Sequence, residues 1–211
     1  MTVQKMKQKI FIGTSGYNYD HWADGVIYPK GLPQNQWLEY YARFFKTVEL
    51  NVTFYRLPQE KVFERWRKRT PSDFSFAIKG SRFITHVKRL KDAEEPLRNF
   101  FSRALLLEKK LSVVLWQLSP GFKKDAGRLR AFLKSLKECQ RSKQKRIKPG
   151  KSEHPDEPKR ITKPRHAFEF RHESWLCHEI YEMLDESGCT VCRADWPEFD
   201  VEIPLKRFCL S

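Results

Sequence analysis

No apolar run among the 211 residues approaches the ~20 needed to span a bilayer, so no membrane-spanning helix is expected. The N-terminal stretch MTVQKMKQKIFIGTSG puts no long apolar segment after its lysines, which argues against a secretory leader. Cysteine is sparse and odd in number, five in all (Cys139, Cys177, Cys189, Cys192, Cys209). A disulfide framework is therefore not expected, and reduced thiols in a cytoplasm are the simpler reading. There is no HExxH segment, and Cys189-x-x-Cys192 has no second pair to complete a zinc site. GTSG at Gly13–Gly16 is too short and wrongly spaced for a dinucleotide-binding turn. No repeat of fixed period is evident. Acidic residues are in deficit, 26 Asp+Glu against 41 Lys+Arg, for a formal charge of +15.

What is present is enough for a folded core. The apolar set is 40% and aromatics are 14%, which excludes wholesale disorder. The length suits one domain, or two small ones. Charge is concentrated at 141–165, RSKQKRIKPGKSEHPDEPKRITKPR, with ten Lys/Arg against three Asp/Glu and four of the twelve prolines. Ile147 and Ile161 are its large aliphatic residues. Such a segment cannot bury enough apolar surface to offset its ordering entropy. It reads as a disordered basic surface insertion between folded parts. A sharper reading makes it an arm touching nucleic acid by counterion release. It carries no aromatic residue, so base stacking there is unsupported.

Six short apolar runs read as strands: Ile10–Ile12, Thr47–Val52, Phe74–Lys79, Leu111–Leu118, His166–Phe170 and Thr190–Ala194. Helical stripes lie between them, over Asn35–Phe45, Gln59–Arg69, Pro96–Lys109, Lys124–Lys137 and Ser174–Ser187, the last stopped by Gly188. Strand–helix alternation with nearly continuous apolar strands predicts a parallel α/β sheet. A complete (β/α)8 barrel takes about 250 residues, so about six strands with outer helices would be an incomplete TIM-like barrel. A doubly wound sheet is the rival, and it lacks its phosphate turn.

Alternate side chains of a strand share a face. On that rule Glu49 and Asn51 face together, opposite Val48 and Leu50. Lys79 lies with Ala77, Gln117 with Leu115 and Val113, Glu169 with Arg171, and Arg193 with Asp195. In five strands one face is apolar and the other ends in a polar or charged residue. In a barrel the second face is the interior, and its C-terminal mouth is where active sites sit. Glu49, Lys79, Gln117, Glu169, Arg171 and Asp195 are thus expected to converge. Buried charges should pair, and three carboxylates meet two or three cations, Lys79, Arg171 and Arg193. The plainer alternative is a structural ion-pair network filling the barrel.

Six segments carry a resemblance: IGTSGYNYDHWADGVIYP (12–29), YYARFFKTVELNVTFYRLP (40–58), FSFAIKGSRFITH (74–86), LWQLSPGF (115–122), FEFRHESW (168–175) and Asp195-Trp196-Pro197. In this order they resemble the YecE-like family, a domain of unknown function, over residues 10–197 apart from the insertion. The resemblance implies a TIM-like β/α barrel and brings no established reaction. It places the barrel domain at 1–197, interrupted at 141–165, and leaves 198–211 as an atypical tail. DVEIPLKRFCLS does not continue the family pattern of further strands, so the chain is expected to be C-terminally truncated or altered. The resemblance also implies site positions at Tyr17, Trp22, Glu49, Asn51, Tyr55, Arg56, Lys79, Thr85, His86, Gln117, Glu169, Arg171, His172, Trp175 and Asp195. Of the neighbours Arg171 and His172, Arg171 is the one expected to point inward. Trp175 is placed at the pocket rim or at the start of the following helix, with Ser174 as its N-cap.

Two carboxylates near cations suit general acid–base chemistry, because surroundings can push their pKa values apart. The first functional expectation is a hydrolase or lyase acting on a small anionic or phosphorylated substrate. Glu49, Glu169, Asp195 and His86 form the catalytic set. Lys79 and Arg171 hold the anion, Asn51 and Gln117 orient the substrate, and Tyr17, Trp22, Tyr55 and Trp175 complete its binding. Glu49, Glu169, Asp195 and His86 are acceptable metal donors, but nothing in their spacing demands a metal. No metal and no cofactor is assigned. The second expectation is a nucleic-acid-binding protein or nuclease using the basic surface and the 141–165 arm. The third is a truncated, non-functional chain. A cytoplasmic location without membrane contact goes with all three, and the oligomeric state is not assigned.

Overall fold

The computed structural model describes residues 10–144 and 163–194, together with a strand at 208–210. Six strands, β1 (Thr47–Leu50), β2 (Ser75–Lys79), β3 (Leu111–Gln117), β4 (Arg165–Glu169), β5 (Thr190–Arg193) and β6 (Phe208–Leu210), pair in parallel in the order of the chain. Parallel neighbours need crossovers, and helices supply the first four. Helix α1 (Trp37–Tyr41) leads into β1, α2 (Val52–Tyr55) and α3 (Glu60–Lys68) join β1 to β2, and α4 (Glu94–Ala104) joins β2 to β3. Helix α5 (Ala126–Gln144) leaves β3, and α6 (His178–Glu186) joins β4 to β5. A doubly wound sheet reverses its strand order and is covered on both faces; this one never reverses. It is the wall of an incomplete TIM-like barrel. No described helix is long and apolar enough to cross a membrane.

The two faces differ as alternation requires. Val48, Leu50, Phe76, Ile78, Val114, Trp116, Phe168 and Val191 belong to the large core beneath the helices. On the other face Leu115, Ala167 and Cys192 form a separate small cluster with Val113. A bulge sets the phase of β3. Phe76 pairs with Leu111 but Ala77 with Val113, and the extra residue, Ser112, donates its hydroxyl to the Phe76 carbonyl at 3.0 Å. Leu111 therefore sits with the core while Val113 faces inward, although they are two residues apart.

Tight passages explain two glycines. A Cβ at Gly80 would lie 2.3 Å from the Trp116 ring, and one at Gly13 would lie 2.2 Å from the Thr47 carbonyl. Only glycine lets the chain pass so close. The segment around Gly13 also corrects an expectation. Ile10–Ile12 is not a strand; Ile10 and Ile12 are 83% and 75% exposed. The chain only skirts β1, where the Glu49 N–H donates to the Thr14 carbonyl at 3.0 Å. The sixth strand lies instead at Phe208–Leu210, inside the tail expected to be unrelated, and pairs with β5.

Helix boundaries move for local reasons. The stripe at 35–45 becomes a 3-10 turn, Gln34–Gln36, followed by a helix ending at Tyr41. Helix α5 continues to Gln144 and β4 begins at Arg165, so both ends of the basic stretch 141–165 belong to regular elements. Residues 145–162 of that stretch lie outside the described residues.

Candidate functional site at the C-terminal ends of the strands

Polar residues of the inner face gather where β1–β4 end. Gln117 pairs with Glu169 across β3 and β4, and its Nε2 donates to both Glu169 oxygens at 3.0 Å. Arg171 lies two residues beyond Glu169 on the same face, because Phe170 between them turns into the core. Its guanidinium forms a salt bridge to Glu169 Oε1. Glu169 is only 2% exposed, so this pairing is what makes a carboxylate tolerable there. Alternation delivered Gln117, Glu169 and Arg171 to one point, and Arg171 is engaged there by protein.

A second group forms over β1 and β2. Ser15 Oγ donates to Glu49 Oε1 at 3.1 Å, and Asn51 Nδ2 donates to Ser15 Oγ at 2.8 Å. The Asn51 Oδ1 atom is buried and accepts no hydrogen bond within the described residues. Burial pushes the Glu49 carboxyl above the ordinary carboxylate value. The Lys79 charge and the Ser15 hydroxyl pull the other way, and the Glu169 carboxylate adds to the upward push. Lys79 makes no ion pair among the described residues; its Nζ lies 5.2 Å from the centre of the Phe54 ring.

Beyond Gly80 the chain makes a π-helical turn, Phe83–Val87. Turns of this kind are frequent at functional sites. It presents His86, whose Nδ1 lies 2.9 Å from Thr85 Oγ1 and whose ring meets Phe54 edge-on at 5.0 Å. Burial, then the charges of Arg82 and Lys79, hold the His86 imidazole below its ordinary value. Tyr55 and Arg56 are exposed beside this turn, Tyr55 packing edge-on against Phe54 at 5.0 Å.

Other expected residues lie elsewhere. Trp175 is fully buried in the helix-side core, stacked on Phe170 at 5.2 Å with its Nε1 donating to the Phe122 carbonyl at 2.6 Å. It is not at the pocket rim; its large apolar ring is worth more inside than at the mouth. Tyr17 packs against the same core, its hydroxyl taking the Trp66 Nε1 proton at 3.1 Å on α3. Trp22 packs with Tyr19 and Tyr28 in an N-terminal aromatic cluster. The cap of the turn after β4 is His172, whose Nδ1 accepts the Ser174 N–H at 3.1 Å, whereas the Ser174 hydroxyl accepts the Lys124 N–H. Arg193 is exposed, and alternation puts it with Val191 on the helix side rather than inside. Asp195 lies outside the described residues. Among the described residues no three His, Cys, Asp or Glu side chains gather closely enough to hold a metal.

Three contributors escaped the sequence reading. Ser15 sits in GTSG, where it serves a carboxylate rather than a phosphate turn. Thr53 is fully buried, with its hydroxyl 3.0 Å from the Leu50 carbonyl and 2.6 Å from the Lys79 carbonyl. Phe54 is the floor shared by Lys79, Tyr55 and His86. Coil and short-helix residues carry no strand alternation, so no periodic signal marks them.

Comparison with known proteins matches this architecture. A family described as "Protein of unknown function DUF72" matches residues 11–208. "UPF0759 protein YecE" of Escherichia coli (strain K12) is 36% identical over 128 residues, 60% of this chain and 44% of that protein. "UPF0759 protein YunF" of Bacillus subtilis (strain 168) is 29% identical over 179 residues, 82% of this chain and 54% of that protein. The chain thus spans about half the length of the curated relatives it matches. A crystal structure of a DUF72 family protein from Enterococcus faecalis V583 superposes with a TM-score of 0.62 at 19% identity, covering 92% of this chain and 66% of that one.

Proposed function

This chain belongs to the DUF72 family, and from that premise we propose that the mouth of its strands is an acid–base site for a small anionic substrate. The observation that carries the reading is the contrast between two carboxylates on one face. Glu169 has both oxygens occupied, by Gln117 and Arg171. Glu49 is less buried than Glu169 but far less well partnered: burial raises its carboxyl, and among the described residues it is bonded only through one oxygen, to Ser15. Opposed environments of this kind separate a proton carrier from a fixed charge. Glu49 then gives and takes the proton, and Glu169 stays a fixed counter-charge for Arg171. Lys79, outside any ion pair in the described residues, supplies the anion contact. Asn51 Oδ1, buried and unbonded, accepts a hydroxyl or amine proton of the substrate. His86, held toward its neutral form, is the proposed proton relay.

Inorganic phosphate and p-nitrophenyl phosphate are the first probes. Lys79→Met should abolish calorimetric phosphate binding, and Glu49→Gln should retain binding while removing any p-nitrophenol release. Equal phosphate affinity in Lys79→Met and the parent chain would sink the assignment.

A further inference from the structure

We infer that the outer rim of this mouth is a stacking platform for unpaired polynucleotide. The rim is built by the connections that follow β1 and β2. Tyr55 ends α2 and is 78% exposed, Phe83 opens the π-helical turn and is 48% exposed, and Val87 on the same turn is 61% exposed. Single exposed apolar residues are ordinary, but a group of them at one place marks a contact surface. The two connections are tied from beneath by Phe54, which meets Tyr55 and His86 each at 5.0 Å. The Tyr55 ring therefore stands on a packed support, and the turn that carries Phe83 is anchored to the same Phe54 through His86.

The charge beside the rings identifies the partner. Arg56 and Arg82 are exposed next to Tyr55 and Phe83, and Lys88 Nζ lies 5.9 Å from the Phe83 ring centre. None of these three cations enters an ion pair among the described residues. The whole chain carries +15. Open aromatic faces interleaved with unneutralised cations fit a ligand that is flat and anionic at a regular spacing. An unpaired strand offers one base face and one phosphate per nucleotide, and stacking on aromatic side chains is tolerant of sequence. A duplex hides its base faces within the stack and fits less well. The inference goes beyond the acid–base reading, and the side chains altered to test it, Tyr55, Phe83, Arg56 and Arg82, are not among the proton-carrying or anion-holding groups of that reading, so either stands if the other falls.

The test is fluorescence anisotropy of the full chain with a labelled oligothymidylate of about twelve nucleotides, within the usual site size for such surfaces. Three phosphate contacts predict a log–log salt dependence near −2. Tyr55→Ala and Phe83→Ala should each weaken binding about tenfold while leaving the salt slope and the melting temperature unchanged. The pair Arg56→Gln and Arg82→Gln should flatten the slope by about 1.4. An unlabelled duplex of equal length should compete poorly. Ring variants within twofold of the parent would overturn the inference and assign any binding to the basic stretch 141–165. Competition by thymidine monophosphate or by duplex as strong as by the single strand would overturn it as well.

Discussion

His166 makes β4 sensitive to acid. It is 6% exposed, and its Nδ1 accepts the Trp116 indole proton at 3.1 Å while Nε2 meets the Gln140 side-chain amide. Accepting at Nδ1 requires the neutral ring, and burial lowers the imidazole to about 4. In the unfolded chain it returns to about 6.5. Between those values the unfolded state binds more protons, so stability is fully present above about pH 6.5 and is lost as pH falls toward 4. At about 1.4 kcal/mol per unit, the interval is worth about 3 kcal/mol. With a urea m-value of about 1–3 kcal/mol/M, the midpoint should drop by roughly 1–3 M more than in a chain lacking this group. His166→Asn keeps an acceptor for Trp116 without the titration. Urea unfolding of both proteins, followed by tryptophan fluorescence at pH 7.5, 5.5 and 4.5, gives the comparison. The parent should lose the extra stability and the variant should not. Parallel pH dependences in the two proteins would refute a neutral buried imidazole.

Two further outcomes follow from the packing. Arg171→Leu strands the carboxylate of Glu169 in a buried position, and removing one partner of such a pair costs about 3–5 kcal/mol. The double change with Glu169→Leu should recover most of that in thermal melts, and a double variant no better than the single would contradict the pairing argument. Trp175→Ala should cost about 3–5 kcal/mol through the cavity it leaves, with phosphate affinity at the mouth unchanged when measured below the melting range.

Alternation made the inner wall readable. In Ser75–Lys79 and in Thr47–Leu50 each apolar residue is bracketed by polar or small ones, so the phase of Glu49 and Lys79 has one solution. Gln117 and Glu169 were equally legible because the bulge at Ser112 precedes them and leaves the rest of β3 in step. β5 was not legible in the same way. Val191 and Cys192 are both buried, one on each side of the sheet, so hydrophobicity alone cannot say which phase carries Arg193. Ile10–Ile12 has the composition of a strand, but pairing is a property of neighbours, and it is Thr14, beyond the run, whose carbonyl takes the Glu49 N–H of β1. Trp175 follows a strand that points at the mouth, yet its indole finds Phe122 and Phe170, contacts separated from it in sequence or dictated by the turn that His172 caps. Such long-range choices leave no local trace.

The Thr53 hydroxyl, lodged between the Leu50 and Lys79 carbonyls, acts as a rivet joining two strand tips. Its consequence is mechanical. The gap across which Glu49 feels the Lys79 charge is set by the β1–β2 ladder together with this hydroxyl, which α2 delivers to both strand tips. A single methyl-for-hydroxyl change, Thr53→Val, takes away this brace at the strand tips and leaves only the ladder behind it to hold the gap.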